Sequence, residues 1–151
     1  MASIRSGIGA NMEDRYLFKG KRIDNGEWVQ GYLVYDNRDK LYRIIMDIQY
    51  STGTCITTDN APRVDLSTIC QCTGLKDKNG KLIWENDIMV AHLDKDNPDD
   101  ITYAIVAWRE NGWVTIENGS DDLNTIDDFT TENFEVVITR FDNPELLESE
   151  E

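Results

Sequence analysis

The residues of this chain that could do chemistry are mostly carboxylates, and they are concentrated in its second part. The segment His92–Glu151 contains seventeen acidic and three basic residues, whereas Met1–Ala91 contains twelve of each. The net charge of −14 therefore comes from the second part. Such an asymmetry favours a basic partner, or solubility alone, and disfavours binding of nucleic acid or an anionic membrane through the acidic part.

The segment "DKDNPDDIT", which starts at Asp94, begins like a calcium-binding EF-hand loop. Asp94 and Asp96 stand at alternate positions, as such a loop requires. However, Pro98 occupies the fifth position, Asp99 replaces the turn glycine, and Ile105 stands where the bidentate glutamate belongs. We therefore expect a solvated loop between strands.

Soft metal ligands and nucleophile–base pairs are scarce in the sequence. A zinc site needs about four ligands, but Cys70 and Cys72 would point to opposite faces of a strand, and His92 is the only histidine. The same shortage of histidine disfavours Cys-His and Ser-His-Asp chemistry. We therefore predict no catalytic residue, no metal ligand and no cofactor.

Pairs of neighbouring carboxylates leave one enzymatic alternative open. Asp121-Asp122 and Asp127-Asp128 could serve a metal-dependent hydrolase if their side chains converged in a pocket. Adjacent acidic residues in polar segments are more often solvated, so hydrolysis is a minor alternative.

The segment "TGLKDKNGKLIWENDI", from Thr73 to Ile88, has the glycines and lysine of a phosphate-binding loop but not their spacing. Five residues separate Gly74 from Gly80, where the motif needs four, and Leu82 replaces the hydroxyl residue that follows the lysine. The next residues read as a strand, whereas the motif requires a helix whose N-terminus faces the phosphate. The segment predicts a hairpin with its turn at Asp77–Gly80.

Period-two alternation of apolar residues predicts strands along most of the chain. The segments with this character are "EWVQGYLVYD", "LYRIIMDIQY", "GTCITT", "ITYAIVAWRENGWVTIE" and "FEVVITRF". The fourth is the clearest hairpin, in which Asn111-Gly112 is expected to supply the positive φ angles of the turn. "NPELLESEE" predicts a short C-terminal helix. The fold class is therefore mainly β, as a small, partly open barrel, SH3-like or similar, with extra strands or hairpins and that helix.

The length of the chain suits one domain, which we assign to residues 12–151, with its acidic second half. Residues 1–11 are polar and glycine-rich and are interpreted as a flexible arm or an expression remnant. The odd number of cysteines and the absence of an export signal or a long apolar run indicate a cytoplasmic protein that does not enter membranes.

The segment "CTGLKDKNGKLIWENDIM" closely resembles the signature of the YopX family of phage and prophage proteins, which has the form "YTGLKDKNGKEIYEGDIV". "GKRIDNGEWVQGYLVYD", "AIVAWRENGWVTI" and "FEVVITRFDNPELLE" are similar to further segments of that family, so the resemblance covers most of Tyr16–Glu148. The signature residues of this chain are Gly74, Leu75, Asp77, Asn79, Gly80, Trp84 and Asp87.

The chain departs from the family pattern at three places. Asn86 stands where glycine is usual, Cys72 where an aromatic residue is usual, and Ile138-Thr139-Arg140 where the family tends to have Ile-Gly-Asn. The resemblance implies a mostly β fold with a small barrel and a phage or prophage origin in a bacterial host, but no reaction. The acidic stretch Asp94–Asp128 matches no motif of the family.

The charge suggests a non-enzymatic interaction protein. Duplex DNA carries one negative charge per ~1.7 Å of its axis, and seventeen acids in the last sixty residues could present a comparable density to a host nuclease or other protein with a basic surface. The expected function is inhibition of such a partner by DNA mimicry, as in anti-CRISPR or anti-restriction proteins. The predicted binding residues are Asp94, Asp96, Asp99, Asp100, Asp121, Asp122, Asp127, Asp128 and Glu132.

A second hypothesis belongs to another class of function. The chain could be a structural or regulatory accessory protein of phage replication or packaging, without DNA mimicry, and self-association is left open. Replacement of the acidic pairs by Asn and Ser should then leave its function intact.

Overall fold

A computed structural model describes residues 14–46, 61–143 and 145. The chain divides into two compact units. The N-terminal unit is Arg15–Cys72, and the C-terminal unit has residues 14, 73–143 and 145 as its described part. Each unit is treated by itself below, and the assignment of residues 12–151 to a single domain stays a prediction.

The N-terminal unit is built on antiparallel strands. Its strands are β1 (Phe18–Lys21), β2 (Trp28–Asp36), β3 (Leu41–Ile45), β4 (Arg63–Val64) and the first half of β5 (Cys70–Lys76), in the order β4-β3-β2-β1-β5. Short 3-10 helices lie at Asp14–Tyr16, just before the strands, and at Leu66–Thr68. The predicted strands around "EWVQGYLVYD" and the start of "LYRIIMDIQY" are confirmed as β2 and β3.

Strand β4 reaches back to the end of β1, so this set of strands curls toward a barrel. A single bridge joins Arg22 to Val64, and Asp65 N–H donates to Lys21 C=O at 2.8 Å. A Cβ atom at Gly20 would lie 3.1 Å from Cβ of the buried Val64, so a larger residue at position 20 would require Val64 to shift by a few tenths of an ångström. The sheet is not closed, in agreement with the partly open architecture predicted.

The C-terminal unit contains a hairpin and a five-stranded antiparallel sheet. The second half of β5 pairs with β6 (Leu82–Trp84). The sheet has the order β10-β9-β8-β7-β11, and β11 is linked to β10 by the helix α1. Its elements are β7 (Asp87–Ala91), β8 (Thr102–Arg109), β9 (Gly112–Glu117), β10 (Leu123–Thr125), α1 (Asp128–Asn133) and β11 (Glu135–Thr139).

The core of the C-terminal unit consists of apolar side chains from β6, β7 and β8 and from the end of α1. Burial of such side chains removes apolar surface from water and is the main source of stability of the unit. The fully or nearly fully buried members are Ile83, Met89, Ala91, Ala104, Val106 and Phe134, and Leu75, Trp113, Ile126 and Val136 pack against them. The strands that flank the predicted acidic residues are therefore anchored in a packed core.

The β8–β9 hairpin forms as predicted, but its turn lies one residue earlier than expected. Arg109 pairs with Gly112, so the two central residues of the turn are Glu110 and Asn111, with φ of +52° and +74°. The positive φ predicted for Asn111 is confirmed, but the one predicted for Gly112 was wrong, because the strand register places Gly112 in β9.

The mainly β fold with a short helix is confirmed, and the helix that the structure describes is α1. Residues 1–11, the predicted strand "GTCITT" and nearly all of the predicted helix "NPELLESEE" lie outside the described residues. No helix within the described ranges is long and apolar enough to cross a membrane.

Candidate functional site

Four of the predicted binding residues lie in the loop between β7 and β8. Asp94, Asp96, Asp99 and Asp100 are all exposed. The carboxylate of Asp94 accepts a hydrogen bond from Asp96 N–H at 2.9 Å, and Asp100 N–H donates to the carbonyl of Asn97 at 3.0 Å. The loop is thus shaped by its own turns, and its carboxylates point into solvent.

Two further predicted residues, Asp121 and Asp122, lie in the connection between β9 and β10 and are also exposed. Asn118 N–H donates to Tyr103 C=O at 2.9 Å, which holds the start of this connection against β8. Asp122 N–H donates to the hydroxyl of Ser120 at 3.0 Å.

The strand register brings these two acidic segments to the same end of the five-stranded sheet. Ala91 pairs with Thr102, where the β7–β8 loop begins and ends. Ala104 pairs with Glu117, from which the β9–β10 connection leaves. We call this end the acidic end and define it by Asp94, Asp96, Asp99, Asp100, Asp121 and Asp122.

The remaining three predicted residues belong to α1, and two of them have a structural role. Asp127 is the N-cap of α1: its carboxylate accepts from the backbone N–H and the hydroxyl of Thr130, both at 3.1 Å. Asp128 stands in the first turn, where the helix dipole favours a negative charge. Because Thr125 pairs with Val114, α1 starts away from the acidic end. Glu132 is exposed later on α1.

The exposed acidic residues are not neutralised by the described part of the C-terminal unit. Among the described residues, none of the nine predicted carboxylates forms an ion pair. Lys95 is the only basic residue within the two acidic segments, residues 92–101 and 118–122. The acidic end therefore presents a negative potential to solvent.

The carboxylates of the described part of the chain do not gather into a coordination site. No group of three or more His, Cys, Asp or Glu side chains in residues 14–46, 61–143 and 145 is arranged to hold a metal ion. The hydrolase alternative, which requires converging carboxylates, stays a prediction.

The family signature has a structural role that the sequence only partly revealed. Asp77, which is 6% exposed, accepts hydrogen bonds from three backbone N–H groups. Oδ1 accepts from Asn79 and Lys81, both at 2.9 Å, and Oδ2 accepts from Val136 at 2.8 Å. The carboxylate of Asp77 thus stabilises the predicted Asp77–Gly80 turn and also links this turn to β11 through Val136.

A second buried carboxylate of the signature, Asp87, follows a tight turn between β6 and β7. Asp87 is 2% exposed and accepts from Trp84 N–H at 2.8 Å. Asn86, in the position where the family usually has glycine, has φ of +69°. A left-handed backbone favours glycine and tolerates asparagine better than most other residues, which explains this departure from the family pattern.

The N-terminal unit contains an arginine–aspartate cluster that the sequence reasoning missed. Arg43, only 6% exposed, donates to Asp36 at 3.0 Å, to Asp39 at 2.8 Å and to the carbonyl of Ala61 at 2.8 Å. Arg63 donates to Asp39 at 2.9 Å. The cluster joins the β2–β3 hairpin to the segment that leads into β4.

The arginines of this cluster change the protonation of the aspartates. Hydrogen bonds from the side chain and backbone of Arg38 and from Arg43 hold the pKa of Asp36 well below its ordinary value, against the opposing effect of burial. Burial raises the pKa of Asp39, but the hydrogen bond from Leu41 N–H and the charge of Arg43 outweigh it. Both carboxylates therefore stay ionised in mildly acidic solution.

Together, the fold and the acidic end define a mainly β protein that presents unpaired carboxylates on one sheet end. Residues 17–148 match the family profile described as YopX protein. The chain belongs to the YopX family, as its signature predicted.

The protein is also similar to a solved structure. The crystal structure of protein EF1440 from Enterococcus faecalis matches with a TM-score of 0.55 and 26% sequence identity, over 86% of this chain and 96% of that chain. A comparison with curated proteins finds no match.

Proposed function

We propose that this YopX-family protein is a phage-type interaction protein that binds a host nucleic-acid-binding protein and inhibits it by presenting carboxylates in place of phosphates. Membership of the YopX family supports a phage-type origin. The proposed binding surface is the acidic end. The acidic end would bind the basic surface of its partner in the host cytoplasm. The protein itself would bind no nucleic acid.

The observation that carries this proposal is the location of six exposed carboxylates in two connections at the same end of the sheet. The strands β7, β8, β9 and β10 are neighbours, and at about 4.8 Å per strand the end is about 14 Å wide. Six charges over this width give roughly one charge per 2.4 Å, close to the ~1.7 Å spacing of duplex DNA. A basic channel that holds DNA would therefore attract this end.

Asp127, Asp128 and Glu132 have a weaker place in this surface. Asp127 is needed to cap α1, so its presence has a structural explanation independent of a partner. We therefore assign partner binding first to the acidic end and treat the α1 carboxylates as secondary contributors.

The experiment is a competition between the protein and DNA. The full chain is immobilised and exposed to a lysate of a bacterial host, and bound proteins are eluted either with salt or with duplex DNA. We expect a nucleic-acid-binding protein that duplex DNA displaces and that half-molar salt releases, because exposed charges are screened within about 10 Å at 0.1 M ionic strength.

Matched charge variants test whether the acidic end is the surface used. Asp99→Asn/Asp100→Asn/Asp122→Asn removes three charges from the acidic end, and Glu27→Gln/Glu110→Gln/Glu145→Gln removes three elsewhere. Only the first variant should lose the DNA-displaceable partner. Mimicry would be contradicted if both variants lost the partner equally, or if the acidic-end variant still bound it. Undiminished binding by the acidic-end variant would also favour the accessory role in replication or packaging.

A further inference from the structure

Four Asn-Gly dipeptides lie at connections between neighbouring strands, where the asparagine side chain can react with the backbone that follows it. They are Asn25-Gly26, Asn79-Gly80, Asn111-Gly112 and Asn118-Gly119. Glycine has no Cβ atom, so its backbone nitrogen can approach the side-chain carbonyl carbon of the preceding asparagine. Because the four pairs share this local chemistry, differences in their reactivity come from the fold.

The reaction open to such a pair is deamidation through a cyclic imide. The glycine nitrogen gives its proton to hydroxide and bonds to Cγ of the asparagine. The bond from Cγ to Nδ2 breaks, and Nδ2 leaves as ammonia with a proton from water. Water then opens the imide at Cγ to give aspartate, or at the backbone carbonyl to give isoaspartate, in which the chain runs through Cβ. Water is the co-reactant, and no group is oxidised or reduced.

The pair Asn25-Gly26, between β1 and β2, is held at both reacting groups. Gly26 N–H donates to Arg22 C=O at 2.9 Å. The side chain of Asn25 accepts from Glu27 N–H at 2.9 Å and donates to the Glu27 carboxylate at 3.4 Å. The glycine nitrogen must lose its acceptor, and the side chain must leave Glu27, before the two can bond.

The pair Asn79-Gly80, in the turn of the family signature, is held in the same way. Gly80 N–H donates to Asp77 C=O at 3.0 Å. Nδ2 of Asn79 donates to the Glu135 carboxylate at 2.9 Å. Attack on Cγ again requires that both hydrogen bonds break.

In the pair Asn111-Gly112, the strand register holds the glycine nitrogen. Asn118 N–H donates to Tyr103 C=O, so these two residues are a hydrogen-bonded pair of the β8–β9 ladder. Such pairs alternate along an antiparallel ladder, and Arg109 and Gly112 are partners an even number of residues further along it. Gly112 N–H therefore donates to Arg109 C=O.

The pair Asn118-Gly119 differs from the other three at the glycine nitrogen. Ser120 N–H donates to Glu117 C=O at 3.1 Å, which makes Asn118 and Gly119 the central residues of a turn. Gly119 is exposed, with φ of +79°, and a Cβ atom there would meet nothing within 4 Å. Among the described residues, no hydrogen bond holds Gly119 N–H. Hydroxide can therefore reach this nitrogen.

We propose that Asn118 is the site at which the folded protein deamidates in preference to the other three Asn-Gly pairs. The product is a carboxylate at the start of the connection that also holds Asp121 and Asp122, so the modification adds negative charge to the acidic end. This change is read in the chain itself and needs no partner. Its outcome therefore does not depend on the proposed function.

The test is peptide mapping by mass spectrometry of the folded full chain, kept in mildly alkaline water enriched in heavy oxygen. Each deamidation incorporates an oxygen atom from this water, so the label reports reaction during the incubation. We expect Asn118 to react about two- to tenfold faster than each of the other three, since the net contribution of one hydrogen bond corresponds to a rate factor of that size. Equal rates at the four pairs, or a faster reaction at another pair, would overturn the proposal.

The unfolded chain supplies the matched control. In concentrated guanidinium chloride the hydrogen bonds of the glycine nitrogens are lost, so the four pairs should react at similar rates. If Asn118 kept its preference in the unfolded chain, the neighbouring sequence and not the fold would be its cause, against the proposal.

The Glu135→Ala variant tests whether the glycine nitrogen controls the reaction. It releases the side chain of Asn79 but leaves Gly80 N–H bonded to Asp77 C=O, so Asn79 should still react more slowly than Asn118. If Asn79 became as fast as Asn118, restraint of the side chain would control the rate, and the assignment to the unbonded Gly119 nitrogen would be wrong.

Discussion

In the N-terminal unit, Asp36 and Asp39 contact three arginines, whereas in the C-terminal unit the six carboxylates of the acidic end contact no cation among the described residues. The composition of the units follows the same division. Arg15–Cys72 has eight basic and seven acidic residues, and Thr73–Glu151 has six and twenty. Carboxylates in the first unit can thus be matched by arginine, and most of those in the second cannot.

The buried carboxylates of the C-terminal unit are stabilised by groups other than arginine. Asp77 and Asp87 are satisfied by backbone N–H groups instead. A buried polar group needs such partners, because loss of hydration is otherwise uncompensated. The exposed acids have no such requirement, so burial separates the carboxylates that maintain the fold from those available to a partner.

The largest expected effect comes from removal of the carboxylate that serves three backbone donors. Asp77→Ala should lower the free energy of unfolding by about 3 kcal/mol, since buried N–H groups left without an acceptor cost about 1–3 kcal/mol each. Urea unfolding followed by tryptophan fluorescence, to which Trp84, Trp108 and Trp113 of the C-terminal unit contribute, measures the change.

The control for this variant is Asp122→Ala at the acidic end, which should change the free energy of unfolding by no more than about 0.5 kcal/mol. Asp77→Asn, which retains one acceptor oxygen, should fall between the two. If Asp77→Ala lost less stability than Asp122→Ala, burial would not distinguish carboxylates that maintain the fold from carboxylates available to a partner.

A smaller effect is expected from the pH dependence of Asp36. Its pKa is lower in the folded protein than in the unfolded chain, chiefly because Arg38 hydrogen-bonds the ionised carboxylate. The resulting stabilisation is present above the ordinary aspartate pKa of about 3.9 and is lost as the pH falls toward the lower folded value. Asp36→Asn should therefore be less stable than the wild type at pH 5, and the difference should shrink toward pH 2.

Urea midpoints of the two proteins between pH 5 and pH 2, followed by amide signals of the N-terminal unit, provide the measurement. Asp122→Asn is the matched change in the other unit and should leave this pH dependence in place. Parallel curves for the wild type and Asp36→Asn would mean that the arginine cluster contributes nothing to acid stability.

The smallest expected effects concern two hairpin turns, one in each unit. Lys40 and Glu110 both have positive φ, +63° and +52°. Lys40→Gly and Glu110→Gly should each raise the free energy of unfolding by about 0.5 kcal/mol, since relief of the left-handed conformation exceeds the added entropy of the unfolded chain. Thermal melts measure the shift.

Lys76→Gly supplies the control for both turns, because Lys76 lies at the end of β5 with an exposed side chain and no positive φ. Its replacement by glycine should destabilise the protein by about 0.5–1 kcal/mol. Stabilisation by all three glycines would indicate that the effect does not come from the turn conformation.

Local chemistry made much of the fold predictable. Asn79-Gly80 correctly predicted the β5–β6 hairpin, and apolar alternation correctly predicted β2, β8 and β9. Both signals depend on residues that are close in sequence. In the β8–β9 turn, the positive φ was predicted correctly for Asn111 but not for Glu110, which has it in place of Gly112. A register shift of one residue is decided by cross-strand packing and not by the turn residues alone.

The candidate sites were less predictable because they join residues that are distant in sequence. The sequence showed that the second half of the chain is acidic. Only the register of β7 to β10 showed which of these acidic residues lie at the acidic end and which lie at α1. The Arg43 cluster reaches across to Ala61, and this spacing has no motif that could be read from the chain.

The sequence by itself determined the family, the mainly β fold, the hairpin of the signature and the concentration of acid after His92. Each of these follows from composition or from short-range patterns. The tertiary structure alone decided which carboxylates are buried and which are exposed, because burial depends on strand order and register. Within the C-terminal unit, the fold buries Asp77 and Asp87, whose carboxylates accept hydrogen bonds from backbone N–H groups. The same fold leaves the carboxylates of the acidic end exposed.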